Sequence, residues 1–224
     1  GVQRFFWGLN KKGVRSPSQP KPTDPEAPEP GGASVLPGTY KVVVTFGTSL
    51  AEQAVKVSAD PNETATTAAM GTNALLIERV ERATEAVTTA ADQIREAQRT
   101  LRLIEEQVKD RSDEAAKTVK DKGKEAAEAL KLLLENMIGK EAGQGVARNP
   151  NTVTAKLGNA RGYLGSSFSA SGLTEQWAVE HAEAAARAAI TSVNEFFSRT
   201  WPAYKETVNT AQIDFFNPIE PIQY

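Results

Sequence analysis

Ten small or apolar residues, Leu76, Val80, Ala83, Val87, Ala90, Ile94, Ala97, Leu101, Ile104 and Val108, follow one another at alternating intervals of four and three. Positions spaced 3.5 residues apart on average stay on one side of an α-helix, so they form a continuous apolar stripe. A chain carrying that stripe must build a long helix and cover it with other helices. The spacing predicts a helix over 64–109, about 70 Å long at 1.5 Å per residue. Glu78 with Arg82, Arg102 with Glu106, and Glu105 with Lys109 lie four apart, as on a solvated outer face.

Ser112-Asp113-Glu114 reads as the cap of a second helix over 112–138, with acids at its positive end. Ala116, Val119, Gly123, Ala126, Leu130, Leu133 and Met137 repeat the same period. Two such helices joined by a short turn are expected to lie antiparallel, as a long coiled-coil hairpin. Gly139 to Pro150 reads as a flexible connection. A third helix is expected over 152–168, with Val153, Leu157, Ala160 and Leu164 inward. A fourth is expected over 174–210, with Val179, Ala182, Ala186, Ile190, Val193 and Phe197 as its stripe. Pro202 should kink or restart it. The apolar tail from Phe215 to Tyr224 is expected to pack back as an extended segment. Residues 61–224 therefore form a helical bundle.

Residues 1–60 read as β and loop. Val2 to Leu9 is a strand candidate with Phe5 and Trp7 on one face. Asn10 to Ala33 carries Pro17, Pro20, Pro22, Pro25, Pro28 and Pro30, which deny backbone donors and helical geometry. It is expected to be a solvated surface loop, with a ligand for a proline-recognition module as the alternative. Leu36-Pro37-Gly38-Thr39 is a turn signal. Tyr40 to Phe46 alternates in polarity, Gly47-Thr48-Ser49 turns the chain, and Gln53 to Ser58 returns it. Three strands leave a face and an edge uncovered, which reads as part of an immunoglobulin-like sheet. The missing strands are expected upstream in a parent chain, of which this is a C-terminal piece, or from a partner chain. The fold class is thus α+β, mostly α.

The residue inventory narrows chemistry sharply. No Cys among 224 residues removes disulfides, thiolate metal sites and thiol nucleophiles, and a single His, His181, removes multi-His sites. His181 reads as a solvent-facing or bundle-edge residue. A ferritin-type carboxylate box needs Glu-x-x-His pairs, and no Glu stands three residues before His181. The glycines at Gly143, Gly145 and Gly158 to Gly165 do not make a phosphate loop. Lys117, Lys120, Lys122 and Lys124 are interleaved with Asp121 and Glu125, as on a solvated helix face, and the net charge of −2 gives no nucleic-acid stripe. Asn62-Glu63-Thr64 is a glycosylation sequon in form. No apolar run reaches the roughly 18 residues of a membrane span. Trp7, Trp177 and Trp201 read as core anchors, with Trp201 filling the gap of a kink at Pro202. No catalytic, cofactor-binding or metal-binding residue is expected. The residues expected to carry structure or interaction are Trp7, Tyr40, Leu76, Val80, Val87, Ile94, Leu101, Ile104, Val108, Leu130, Leu133 and Trp201.

The order of elements carries a resemblance. Gly1, Arg4, Phe5, Trp7 and Leu9 precede a Pro-rich loop; Pro37-Gly38-Thr39-Tyr40-Lys41-Val42, Val55-Lys56-Val57 and Asp60-Pro61 follow, and then the helices. This resembles the C-terminal region of large bacterial BNR-repeat proteins, the sortilin-like β-propellers often labelled glycosyl hydrolases or exo-sialidases. The chain departs from that pattern at Gly8, where Asp is common, and at Asn62, where Arg is common. The resemblance implies an exported parent with a propeller upstream, any active site lying there, and a non-catalytic accessory region here. The alternatives are a free-standing scaffold that oligomerises through its seams, and a glycosidase, which needs two convergent carboxylates.

Overall fold

A computed structural model describes residues 2, 4–62, 64–140, 149–166 and 170–213. The long stripe builds α1 (Thr67–Val108), one uninterrupted helix of 42 residues. It starts later than the spacing predicts, because the Thr66 hydroxyl accepts from the Ala69 amide and sets the first turn. Nine of the ten stripe residues are buried and Ala83 is half-buried, so the seam is the core.

Asp113 caps α2 (Glu114–Ile138), which runs back along the C-terminal half of α1. Gly139, with φ at 90°, ends it. The Thr152 hydroxyl then caps α3 (Val153–Gly165), and Thr154 ties its first turn to the Met137 carbonyl at the end of α2. α2 and α3 therefore succeed each other along the length of α1, and α3 ends beside the start of α1, where Asn73 donates to the Leu164 carbonyl at 2.9 Å. From there the chain descends again through α4 (Leu173–Glu195), a π-helical turn over Phe196–Thr200 and α5 (Trp201–Thr210). Three columns result: α1 down, α2 and α3 up, α4 and α5 down, so the first and third run parallel and the middle one antiparallel to both. The expected α1–α2 hairpin covers about half of the seam, and α3 and α4 cover the rest.

The π turn corrects the expectation of a plain kink at Pro202. Proline cannot donate to the carbonyl four residues back and its ring crowds that position. The chain widens by one residue just upstream, with the Trp201 amide bonded to the Phe196 carbonyl. Phe196, Phe197, Trp201 and Tyr204 pack around the widened turn with ring centroids 5.3–6.3 Å apart.

The β region departs furthest from expectation. Leu9 has φ of 54°, which breaks the extended run, and none of the described residues in 2–9 belongs to a strand. Pairing begins instead at β1 (Asn10–Lys12) with β2 (Gly31–Ser34), in a small antiparallel sheet. Gly13 is buried where the strands meet; a Cβ there would lie 2.4 Å from the Gly31 carbonyl oxygen, so no other residue fits. A separate two-stranded sheet forms from β3 (Gly38–Phe46) and β4 (Ser49–Val57), nine residues each in unbroken register. The turn is Gly47-Thr48, and Gly47 takes the positive φ of 57° that a two-residue hairpin requires. The single three-stranded sheet is therefore replaced by two sheets.

The loop between β1 and β2 is not simply solvated. Pro17 is fully buried against α1. Asp92 pairs with Arg15 and, at 3.2 Å, with Arg95; Arg95 also donates to the Pro17 carbonyl at 2.6 Å, and the Thr88 hydroxyl to the Arg15 carbonyl at 2.8 Å. Lys11 pairs with Glu78 at 2.8 Å. The i,i+4 pairs expected on the helix face do not form: Lys11 takes Glu78, and Glu106 pairs with Lys109 at 3.5 Å. The tail from Phe215 and most of the Gly139–Pro150 connection lie outside the described residues.

Candidate functional site

The expected interaction residues divide into two groups. Leu76, Val80, Val87, Ile94, Leu101, Ile104, Val108 and Leu130 are buried, Leu133 and Trp201 half-buried, and all pack inside the bundle. They hold the columns together, and only Leu133 and Trp201 keep part of their surface exposed. Trp7 and Tyr40 come together outside it, edge to face with centroids 5.4 Å apart, at the base of the β3–β4 hairpin. The Trp7 indole donates to the Asn10 carbonyl at 3.0 Å, and the Tyr40 hydroxyl to the Leu36 carbonyl at 2.6 Å. Trp177 is no core anchor: it is 64% exposed and stacks on His181, which is also exposed, with rings 5.0 Å apart.

Below the hairpin, a cleft of about 430 Å³ opens between the β region and the top of the bundle. Met70, Ala74 and Ile77 of α1 and Leu164 of α3 supply apolar lining; chain segments 33–37 and 57–60 also line it. Three of its polar side chains, Asn73, Arg161 and Asp60, are engaged internally. Asn73, buried, donates to the Leu164 carbonyl and accepts from the Ser171 hydroxyl, each at 2.9 Å. Arg161 pairs with Glu81 at 2.9 Å. Asp60 is the one carboxylate among the described lining residues, and it accepts from the Asn62 amide at 2.8 Å. Among the described residues the cleft is lined mainly by apolar side chains and backbone.

No protein-family model, curated protein or solved structure matches this chain. Function must therefore be argued from the arrangement itself. Among the described residues no group of three or more His, Asp or Glu side chains could hold a metal ion, and no helix is long and apolar enough to cross a membrane.

The strongest electrostatics are structural. Arg79 on α1 grips Glu183 on α4 through two bonds of 3.0 and 2.8 Å, and this guanidinium holds the Glu183 carboxyl below its ordinary range. At the other end Asp113 accepts from Arg111 at 2.9 Å and from the Ala116 amide at 3.0 Å; both lower its pKa to about 2, from 3.8. A carboxyl depressed on folding stabilises fully above its unfolded pKa and loses that contribution as pH falls through the folded one. The melting temperature should therefore drop between about pH 4 and pH 2, and Asp113→Asn, which keeps the cap but not the charge, should make that drop shallower. Melting curves of both proteins across this window check it; parallel curves would remove Asp113 from the acid response.

The sequence reading did not identify the residues that fasten the loop, Asp92, Arg15 and Arg95. Their signal was present in two arginines and an acid of matching reach, but pairing across 77 positions has no local signature.

Proposed function

We propose that this chain is a non-catalytic accessory region of a larger exported β-propeller protein, giving it structural support or an assembly surface. One contrast carries the reading. The bundle buries its own seam, whereas the β3–β4 hairpin leaves Val42, Val43, Val44, Phe46 and Leu50 exposed, Phe46 by 86%. Phe5 and Phe6, before β1, are exposed as well. A lone two-stranded hairpin is at best marginally stable in water and needs further strands or a packing layer. The missing cover is best supplied by the upstream part of the same polypeptide, the propeller and its remaining β-strands, or by a partner chain. The order of sequence elements that resembles BNR-repeat proteins supports the same reading.

Seam-to-seam oligomerisation, the scaffold alternative, is disfavoured by burial of the seam within one chain. The reading assigns no catalytic residue, cofactor or nucleic acid to residues 1–224. Peptide mapping with intact-mass measurement on the protein from its natural source tests it. Peptides running upstream of Gly1 in one larger polypeptide are expected. An intact mass of 24.1 kDa with no second polypeptide would overturn the accessory reading.

A further inference from the structure

The β3–β4 hairpin has two distinct faces. The printed register places Tyr40 beside Val55, Val42 beside Gln53 and Val44 beside Ala51 on one face, and Lys41, Val43 and Glu52 on the other. The two-residue turn makes Phe46 and Ser49 a mutually hydrogen-bonded pair, and every second pair beyond it repeats that state. Tyr40, Val42 and Val44 therefore direct their main-chain groups to β4. Thr39, Lys41, Val43 and Thr45 direct theirs outward, along an edge that is free among the described residues.

That edge lacks the features that keep edge strands apart. It contains no proline, its nine pairs run without a bulge, and Lys41 is its only charge. We propose that a second copy of this chain pairs with the free edge of β3, antiparallel and centred on Val42, to make a four-stranded sheet.

The register is self-complementary. A twofold axis at Val42 sets Thr39 against Thr45 and Lys41 against Val43, so outward main-chain groups meet outward main-chain groups. On the apolar face Tyr40 meets Val44 and Val42 meets Val42, the aromatic and β-branched pairs that stabilise sheets. The lone lysine meets a valine rather than a like charge. The β4 edge is a poorer match, because Ala51, Glu52, Gln53 and Ala54 occupy its centre and have low strand propensity. Four strands with a shared apolar face also satisfy the requirement that two strands leave open. This inference goes beyond the accessory reading and does not rest on it.

The absence of cysteine makes the test clean. Val42→Cys should form a disulfide-linked dimer on mild oxidation, because directly opposed, non-hydrogen-bonded residues bring their Cα atoms to about 4.5 Å, within disulfide reach. Gln53→Cys, opposite Val42 on β4, should stay monomeric under the same conditions. Sedimentation of the unaltered chain should show the mass doubling with concentration. Val43→Lys, which sets a lysine against the second copy's Lys41, should weaken that dimer at least tenfold with the circular dichroism unchanged. A chain that remains at 24.1 kDa at about 100 μM, a hundredfold above a micromolar Kd, overturns the proposal. So does cross-linking through Gln53→Cys equal to that through Val42→Cys. Neither outcome bears on whether upstream peptides precede Gly1, so the two proposals fail separately.

Discussion

Ile94→Asp should unfold the whole bundle. Ile94 lies about two-thirds of the way along α1 at 0% exposure. A carboxylate there has no water and no partner. Burying an unpaired charge costs several kcal/mol even after the surroundings relax. Folded domains hold a margin of only about 5–15 kcal/mol, and truncation of the isoleucine adds a packing loss to the charge penalty. Far-UV circular dichroism should show loss of most helical signal, or a melting transition displaced far downward. Ile94→Val is the control and should cost about 1 kcal/mol, with the helical signal intact. An unchanged spectrum for the aspartate variant would mean that the seam is not the core.

Asp92→Ala should release the proline-rich loop and leave the bundle standing. Asp92 is the shared acceptor of Arg15 and Arg95, whose side chains retain 17% and 20% of their exposure. Its removal leaves two guanidinium groups close together, partly desolvated and without their counter-charge. Breaking a buried pair costs about 3–5 kcal/mol, and the partial exposure here reduces that to about 2 kcal/mol. The cost falls on the docking of the segment around Pro17. Limited proteolysis within 14–30 should therefore accelerate by at least tenfold, while helical content is unchanged. Asp92→Asn keeps one acceptor oxygen and should fall between the two. Equal cleavage rates in all three proteins would show that Pro17 and the Thr88 bond hold the loop without the acid.

The helices were legible from sequence because their signal is periodic and local. Val153, Leu157, Ala160 and Leu164 are all buried as their spacing implies, and Asp113 and Thr152 mark helix starts that side-chain caps then realise. The β region was less so. The strand expected at Val2 to Leu9 depended on residue type alone, and a single positive φ at Leu9 redirects it. Asn10 to Lys12 has poor strand propensity, and it pairs because the glycines at Gly13 and Gly32 let two backbones approach. Trp177 was misplaced for a related reason: an aromatic residue on an amphipathic helix suggests core, yet Ala178, Val179 and Ala182 already fill that stripe. Which column covers which part of the α1 seam was not legible, since any apolar stripe of the right period could have done so.

The breaks in the columns fall at different heights. Counting from the α1–α2 turn, α2 ends after 25 residues, about 37 Å up, and the π turn lies above the 10 residues of α5, about 15 Å up. α1 has no break at all. No cross-section of the bundle meets two joints, as in a laminated beam whose boards are staggered. Each discontinuity is therefore flanked at its own height by two continuous helical columns, so neither alone divides the bundle into separable halves.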